Sequence, residues 1–245
     1  MAEKNYTRDE YLYLAKLYER AEKFEDMVKW INKFVQMDPV LSHDERNILS
    51  AGFKNVISSK RASWRLLHSM EKKEEKKHSP NLAYLQEIKG KVEDEMRRIC
   101  DEIQDSLDKY LIPNAKDPEN KVFYLKLKGD YYRYRAEFTS GQENEQATNQ
   151  AEKAYKEAYE IAEKHIPISS STRLGLALNF SVFYYEIRNL KEEACQIAKS
   201  AFEESMKILD DLERIKAKDT ILIIQLLKEN LILWNNEYND AEEGN

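Results

Sequence analysis

The chain has 245 residues, of which 34% are charged and 42% hydrophobic, and it contains only 6 Gly and 5 Pro. This balance favours long amphipathic helices, arranged in one large domain or two smaller ones. It has neither a run of about 20 apolar residues nor a basic start followed by an apolar run, so we expect no membrane span and no secretion signal. The two cysteines, Cys100 and Cys195, lack paired spacing, which argues against a disulfide framework or structural zinc and for the cytoplasm.

The formal net charge of -6 predicts that nucleic acid is repelled by the protein as a whole. An anionic partner would therefore have to meet a local cluster of Lys and Arg. We expect no nucleic acid, no membrane, no metal and no cofactor among its partners.

Helix breakers and caps divide the chain into nine predicted helices, with no convincing strand. The first runs to Arg20, and the third has its body at 48–70. The others are predicted at 24–36, 81–110, 117–139, 145–164, 172–188, 191–209 and 218–236.

Turn and cap signals support these boundaries. Asp38-Pro39 ends the second helix, because Pro disfavours helix in the residue before it. Ser42 with Glu45 three residues later predicts a capping box at the start of the third. After the mixed-charge run 71–77, Ser79-Pro80 predicts the next turn.

Short joints between antiparallel helices indicate a curved stack of helical hairpins with a concave face. The segment from 237 onward is polar and acidic, which is typical of disorder. We therefore predict a single all-α domain at 1–236 and a disordered tail at 237–245.

Two groups of basic residues are candidates for an anion site. Lys54 and Arg61 are two helical turns apart on the third helix, which puts them on one face about 10 Å apart. Arg donates bidentately to phosphate oxygens and Lys adds a point charge. The second group is on the fifth helix and consists of Lys121, Lys126, Lys128, Arg133 and Tyr134.

Spacing alone leaves alternatives open for these residues. Lys and Arg on a helix face are usually solvated, and Asp130 with Arg133 could form a surface ion pair worth a few tenths of a kcal/mol. The row Tyr124, Tyr131 and Tyr134 fits core packing better than ligand contact.

Two later helices each carry a row at helical spacing that contains one Asn. Gly175, Asn179, Val182 and Glu186 form one row, and Leu222, Leu226, Asn230 and Leu233 form the other. A buried amide must be hydrogen-bonded. Its partner could be the backbone of an extended ligand or simply a neighbouring helix, and the sequence leaves both open.

Signatures of an enzyme are missing from the sequence. We find no metalloprotease motif, phosphate-binding loop, dinucleotide turn or nucleophile elbow, and the four histidines lack metal-ligand spacing. A scaffold that binds unmodified peptides or carboxyl termini in the same groove is a second alternative to a phosphate-binding protein.

Several long stretches of the chain are distinctive. One is the run Lys128-Gly129-Asp130-Tyr131-Tyr132-Arg133-Tyr134, and another is 173–186. The remaining stretches are 45–47, 53–56, 61–65, 121–126, 225–227, 230–231 and 233–234. Taken in this order, these stretches resemble the 14-3-3 family, and 173–186 is nearly identical to the family signature.

The resemblance implies a nine-helix protomer with an amphipathic groove, acting as a non-catalytic adaptor. Such adaptors bind phosphoserine or phosphothreonine motifs (Arg-x-x-pSer-x-Pro-like) in client proteins and alter client conformation, localisation or assembly. Phosphate would be bound by Lys54, Arg61, Arg133 and Tyr134. Asn179 and Asn230 would bond to the ligand backbone, with Lys126 and Glu186 nearby. The rest of the predicted groove consists of Gly175, Leu178, Val182, Leu222, Ile223, Leu226, Leu233 and Trp234.

The resemblance also implies a dimer, either of two copies or with a sister chain, in the cytoplasm and with the nucleus as a second location. In the family, the first helix is buried against the partner's third and fourth helices. Ile88 stands where the family usually has Tyr, and Lys23 where it usually has Arg. The implied interface residues are Leu17, Ala21, Lys23, Asp26, Ser63, Leu67, Ile88, Lys91 and Glu95.

Overall fold

The computed structural model describes residues 6–215 and 217–243, with side chains to Asn236. Within these ranges every regular element is helical, which confirms the predicted all-α class. The chain divides into two compact units, Met1–Ala115 and Lys116–Asn245.

The first unit contains four long helices. They are α1 (Arg8–Arg20), α2 (Phe24–Met37), α3 (His43–Lys76) and α4 (Leu82–Ser106). Beyond α4, a π-helical turn at Leu107–Leu111 and a further turn at Ile112–Asn114 carry the chain to the end of the unit.

Two capping boxes fix where α1 and α3 begin. The predicted box is confirmed: Ser42 Oγ accepts from the Glu45 backbone N–H at 3.3 Å, and Glu45 Oε2 accepts from the Ser42 N–H at 2.8 Å. Thr7 and Glu10 form the same arrangement before α1. Arg8 then pairs with Glu45 at 2.6 Å, so the starts of the two helices are joined by an ion pair.

The core of the first unit is built on the apolar face of α2. Met27, Ile31 and Phe34 are fully buried, as their helical spacing predicts. Trp30 lies at the edge of this face and is only partly buried. Its ring stacks on Tyr11 of α1, with 5.7 Å between the ring centroids.

The second unit begins with two long helices joined by a short turn. The helices of this unit are α5 (Pro118–Phe138), α6 (Gly141–His165), α7 (Ser171–Phe183), α8 (Lys191–Met206), α9 (Leu209–Arg214) and α10 (Lys218–Glu243). A π-helical turn at Tyr184–Arg188 continues α7.

Several predicted boundaries are wrong. The charged run after Met70 is helical to Lys76, because Glu71 is buried and pairs with Lys89 of α4 instead of being left in a solvated joint. The eighth helix ends at Met206 rather than 209, and the short helix α9 follows it.

The last helix also ends later than predicted, at Glu243 instead of 236. Residues 237–243 include no Gly or Pro that would stop a helix, and Gly244 is the first such residue. Residues 244–245 lie outside the described chain. The division into a domain at 1–236 and a tail at 237–245 stays a prediction.

The core of the second unit centres on Tyr155 of α6. Tyr155 is fully buried, and its ring lies against Phe180 and Phe183 of α7, with centroid distances of 5.4 and 5.5 Å. On α5, Gly129 faces the same ring. A Cβ atom at Gly129 would lie 2.8 Å from two ring carbons of Tyr155, so only glycine permits this approach.

Replacing Gly129 by Ala is therefore expected to destabilise the protein. Overpacking of this kind costs about 1–3 kcal/mol, which outweighs the roughly 0.5–1 kcal/mol that Ala gains over Gly inside a helix. The control is Gly90→Ala in α4, where the added Cβ meets nothing within 4 Å. Urea unfolding should give a lower free energy of unfolding for G129A, and a slightly higher one for G90A, than for the parent. A higher free energy of unfolding for both variants would refute the close contact.

Candidate functional site

A buried carboxylate on α5 organises the polar part of the second unit. Asp130 is 4% exposed and receives hydrogen bonds from side chains of three helices. Lys126 Nζ of α5 donates to Oδ2 at 2.9 Å. Tyr155 Oη of α6 and Asn179 Nδ2 of α7 donate to Oδ1 at 2.5 and 2.8 Å.

Arg133 belongs to the same cluster and is also buried, at 6% exposure. Its Nη2 lies 3.4 Å from Asp130 Oδ1, and its Nε donates to Tyr155 Oη at 3.2 Å. Nη1 lies 3.9 Å from Glu137 Oε1. The carbon centre of the guanidinium lies 4.7 Å from the centroid of the Tyr134 ring. Each nitrogen of this cation thus has a partner within the second unit, and the guanidinium is fixed in orientation.

The spacing on α5 explains how one helix supplies three members of this cluster. Lys126, Asp130 and Arg133 are separated by four and three residues, so they lie on one face. The alternative of a surface ion pair between Asp130 and Arg133 is wrong, because both side chains are buried. Tyr124 and Tyr131, at 2% and 1% exposure, are core residues, so the core-packing interpretation is correct for these two tyrosines. Tyr134 is only half-buried.

The charges in this cluster set its protonation states. Burial alone would raise the pKa of the Asp130 carboxyl, but the charges of Lys126 and Arg133 and the hydrogen bond from Tyr155 outweigh it and lower the pKa. Burial, and then the negative charge of Asp130, raises the pKa of Tyr155 well above its ordinary value. At neutral pH the Asp130 carboxyl is therefore ionised and the Tyr155 phenol is neutral.

The row of predicted groove residues on α7 lies on the partly exposed face of that helix. Gly175, Leu178, Asn179 and Val182 are half-buried and Glu186 is exposed, whereas the opposite side of the helix is core. Asn179 bonds to Asp130 of α5, so the interhelical alternative is correct for one of its two N–H groups. Gly175 lies between two other predicted groove residues. A Cβ there would be 3.7 Å from Lys126 and 3.8 Å from Ile223, an ordinary contact distance.

The row on α10 exposes apolar side chains. Leu222, Leu226 and Leu233 are 55%, 38% and 54% exposed, which is high for three leucines on one helical row. Asn230 in the same row is half-buried, as is Ile223. Trp234 does not belong to this open face: it is buried and stacks on Tyr185, with 4.5 Å between ring centroids. The helical turn directs its side chain inward, and its assignment to the groove stays a prediction.

Lys54 and Arg61 lie on α3 of the first unit. Lys54 is exposed and Arg61 is half-buried. Since Arg133 and Tyr134 belong to the second unit, the four-residue phosphate site stays a prediction.

The predicted interface residues all lie on α1 to α4 of the first unit or on the joint between α1 and α2. Three of them, Asp26, Leu67 and Glu95, are half-buried. The exposed ones are Leu17, Ala21, Lys23, Ser63, Ile88 and Lys91.

Tyr155 is the member of the cluster that sequence analysis missed. The signal that could have found it is Gly129, a glycine inside a helix and directly before Asp130. A glycine inside a helix costs stability relative to Ala, so it is a reason to look for a group that packs closely against it.

No group of three or more His, Cys, Asp or Glu side chains in 6–215 and 217–243 is arranged to hold a metal ion. Over the same residues, no helix combines the length and apolar character needed to cross a bilayer.

Known proteins resemble the chain over nearly its whole length. Residues 14–235 match the family model for 14-3-3 proteins. The chain is 48% identical to 14-3-3-like protein GF14 epsilon of Arabidopsis thaliana, over 97% of this chain and 93% of the relative. It is 48% identical to 14-3-3-like protein B of Hordeum vulgare, covering 97% and 92%. Identity to protein BMH2 of Saccharomyces cerevisiae is 47%, covering 96% and 87%. The chain therefore belongs to the 14-3-3 family of phosphopeptide-binding adaptor proteins.

Proposed function

We propose that Lys54, Arg61, Arg133 and Tyr134 bind the phosphate of phosphoserine or phosphothreonine in client proteins. The observation that carries this proposal is the buried Arg133 guanidinium, which Asp130 and Tyr155 hold in a fixed orientation. A fixed guanidinium loses little conformational freedom when it binds phosphate oxygens, so its hydrogen bonds contribute more fully to affinity. The exposed Lys54 adds charge in a protein whose net charge otherwise opposes an anion.

The rest of the ligand would be bound by the faces of α7 and α10. Asn179 and Asn230 would bond to its backbone, and the exposed leucines of α10 would contact its apolar side chains. Lys126 and Glu186 would lie on the polar side. We expect motifs of the Arg-x-x-pSer-x-Pro type, no catalysis by this chain, and action in the cytoplasm and nucleus.

Phosphate dependence is the first expected property. A fluorescent Arg-x-x-pSer-x-Pro peptide should bind with a Kd in the micromolar range or lower. Its unphosphorylated twin should bind at least tenfold more weakly, a difference of about 1.4 kcal/mol, because a phosphomonoester brings about -1.5 to -2 charges to the basic residues. Fluorescence anisotropy measures both affinities. Equal affinity would instead favour a scaffold for unmodified peptides.

Reversing the charge of Lys54 should abolish phosphopeptide binding and leave the fold intact. Lys54 is exposed on α3, so Lys54→Glu creates no cavity and buries no charge. Circular dichroism should show the same helicity and nearly the same Tm, while anisotropy shows no binding. The matched control is Lys72→Glu, also exposed on α3, which should bind as the parent does. Loss of the fold in K54E would mean that Lys54 is structural.

We further propose that the chain dimerises through α1, α3 and α4. Each of these helices has a pair of exposed apolar residues four positions apart, and such pairs share one helical face. These residues are at least 40% exposed, and together they would form the apolar part of the interface. They are Tyr13 and Leu17, Leu66 and Met70, and Tyr84 and Ile88.

Charge pairs would contribute less to this dimer. Within the single chain, Glu95 is paired with Lys60 at 2.6 Å, Asp26 with Lys29 at 2.7 Å and Lys91 with Glu87 at 2.7 Å. Exposed pairs of this kind are worth about 0–1 kcal/mol. Exchanging them for pairs across an interface changes the free energy little, so the dimer would depend on apolar contact.

Ile88→Asp should therefore weaken the dimer strongly. We expect the dimer Kd to rise at least about a hundredfold, or about 2.7 kcal/mol, because two copies of the buried carboxylate would face the partner. Analytical ultracentrifugation from nanomolar to micromolar concentration measures this change. Ile232→Asp is the control: Ile232 is 51% exposed on α10, against 52% for Ile88 on α4. Equal sedimentation of the two variants would contradict the proposed interface.

A further inference from the structure

The hydroxyl group of Tyr155 acts both as a hydrogen-bond donor and as a hydrogen-bond acceptor. It donates to Asp130 Oδ1 at 2.5 Å and accepts from Arg133 Nε at 3.2 Å. The residue is fully buried, so its hydroxyl cannot touch a ligand. Any effect of this hydroxyl on binding must pass through Arg133 or Asp130.

We propose that the Tyr155 hydroxyl is a positioning group that orients the Arg133 guanidinium for phosphate. The inference depends on the phosphate-binding function proposed above and adds to it a residue that the ligand never contacts. The ring and the hydroxyl have separate roles. The ring packs against Phe180, Phe183 and the Gly129 backbone, and the hydroxyl forms the two polar contacts.

The first contribution of the hydroxyl is to fix Nε. Arg133 is buried, and the groups near its two terminal nitrogens are both acidic: Asp130 near Nη2 and Glu137 near Nη1. The Tyr155 oxygen is the neutral acceptor that holds the third nitrogen. Without it, the Nε–H would be buried without an acceptor, and the guanidinium would turn toward the carboxylates to satisfy it.

The second contribution is to moderate the pull of Asp130 on Arg133. Three groups share Asp130 Oδ1, and the bond from Arg133, at 3.4 Å, is the longest of the three. Tyr155 and Asn179 occupy this oxygen at shorter distances. If the hydroxyl were removed, Asp130 could draw Arg133 closer and compete with an incoming phosphate. Tyr155 therefore keeps the Arg133 guanidinium oriented and only loosely paired with Asp130.

The test compares Tyr155→Phe with Tyr159→Phe. Tyr159 lies one turn further along α6 and contacts the ring of Phe180 at a centroid distance of 5.8 Å, but its hydroxyl is near Glu163 instead of Asp130. Each variant removes one hydroxyl from the same helix. The probe is an Arg-x-x-pSer-x-Pro peptide. Fluorescence anisotropy measures its affinity, and phosphorus NMR at saturation measures the resonance of the bound phosphoserine.

We expect Y155F to bind the phosphopeptide about tenfold more weakly and to shift the phosphorus resonance of the bound peptide. Y159F should bind within twofold of the parent and leave the resonance in place. The resonance arises only from folded, liganded protein, so a loss of stability alone would not move it. The proposal is overturned if Y155F binds like the parent, or if it binds weakly with an unchanged resonance.

The function proposed above fails in a different way. In that case the parent protein itself would bind the phosphorylated and unphosphorylated peptides equally, before any variant is compared.

Discussion

The polar architecture of the second unit depends on one buried carboxylate. Asp130 is surrounded by core, yet its charge is stabilised by Lys126, Arg133, Tyr155 and Asn179 from α5, α6 and α7. A buried charge is tolerated only when it is paired and fully hydrogen-bonded. Moving one of these partners away would leave the Asp130 carboxylate incompletely paired, and this cost in free energy keeps them in position. The carboxylate thereby sets the positions of side chains that can meet a ligand.

Much of the fold follows from the sequence because helix ends have local causes. The capping box at Ser42 and Glu45 and the turn at Pro39 need only neighbouring residues, and both appear in the structure as predicted. The extent of α3 could not be predicted in the same way. The charged run after Met70 resembles a solvated joint, and only the pairing of Glu71 with Lys89 on another helix makes it part of α3.

The site was harder to predict than the fold because α5 is buried on most of its circumference. Val122, Leu125, Leu127 and Tyr131 are all core residues, so their periodicity marks no single face. A charged residue on such a helix cannot be assigned to solvent or to core by spacing. The spacing of Asp130 and Arg133 therefore left a surface ion pair open, and it did not single out Tyr155. Family resemblance supplied the proposed role of Arg133, and the structure supplied the partners of its guanidinium.

The exposed leucine row of α10 has a consequence for the range of partners. Leu222, Leu226 and Leu233 have no donor or acceptor that a partner must satisfy, and hydrophobic contact is not directional. Such a surface accepts many side chains with similar free energy and rejects few by shape alone. Selectivity then has to come from groups that do impose geometry, namely charge and amide hydrogen bonds. Under the proposed function, this apolar row would accept clients of many different sequences, provided that each carries the phosphate that the basic residues bind.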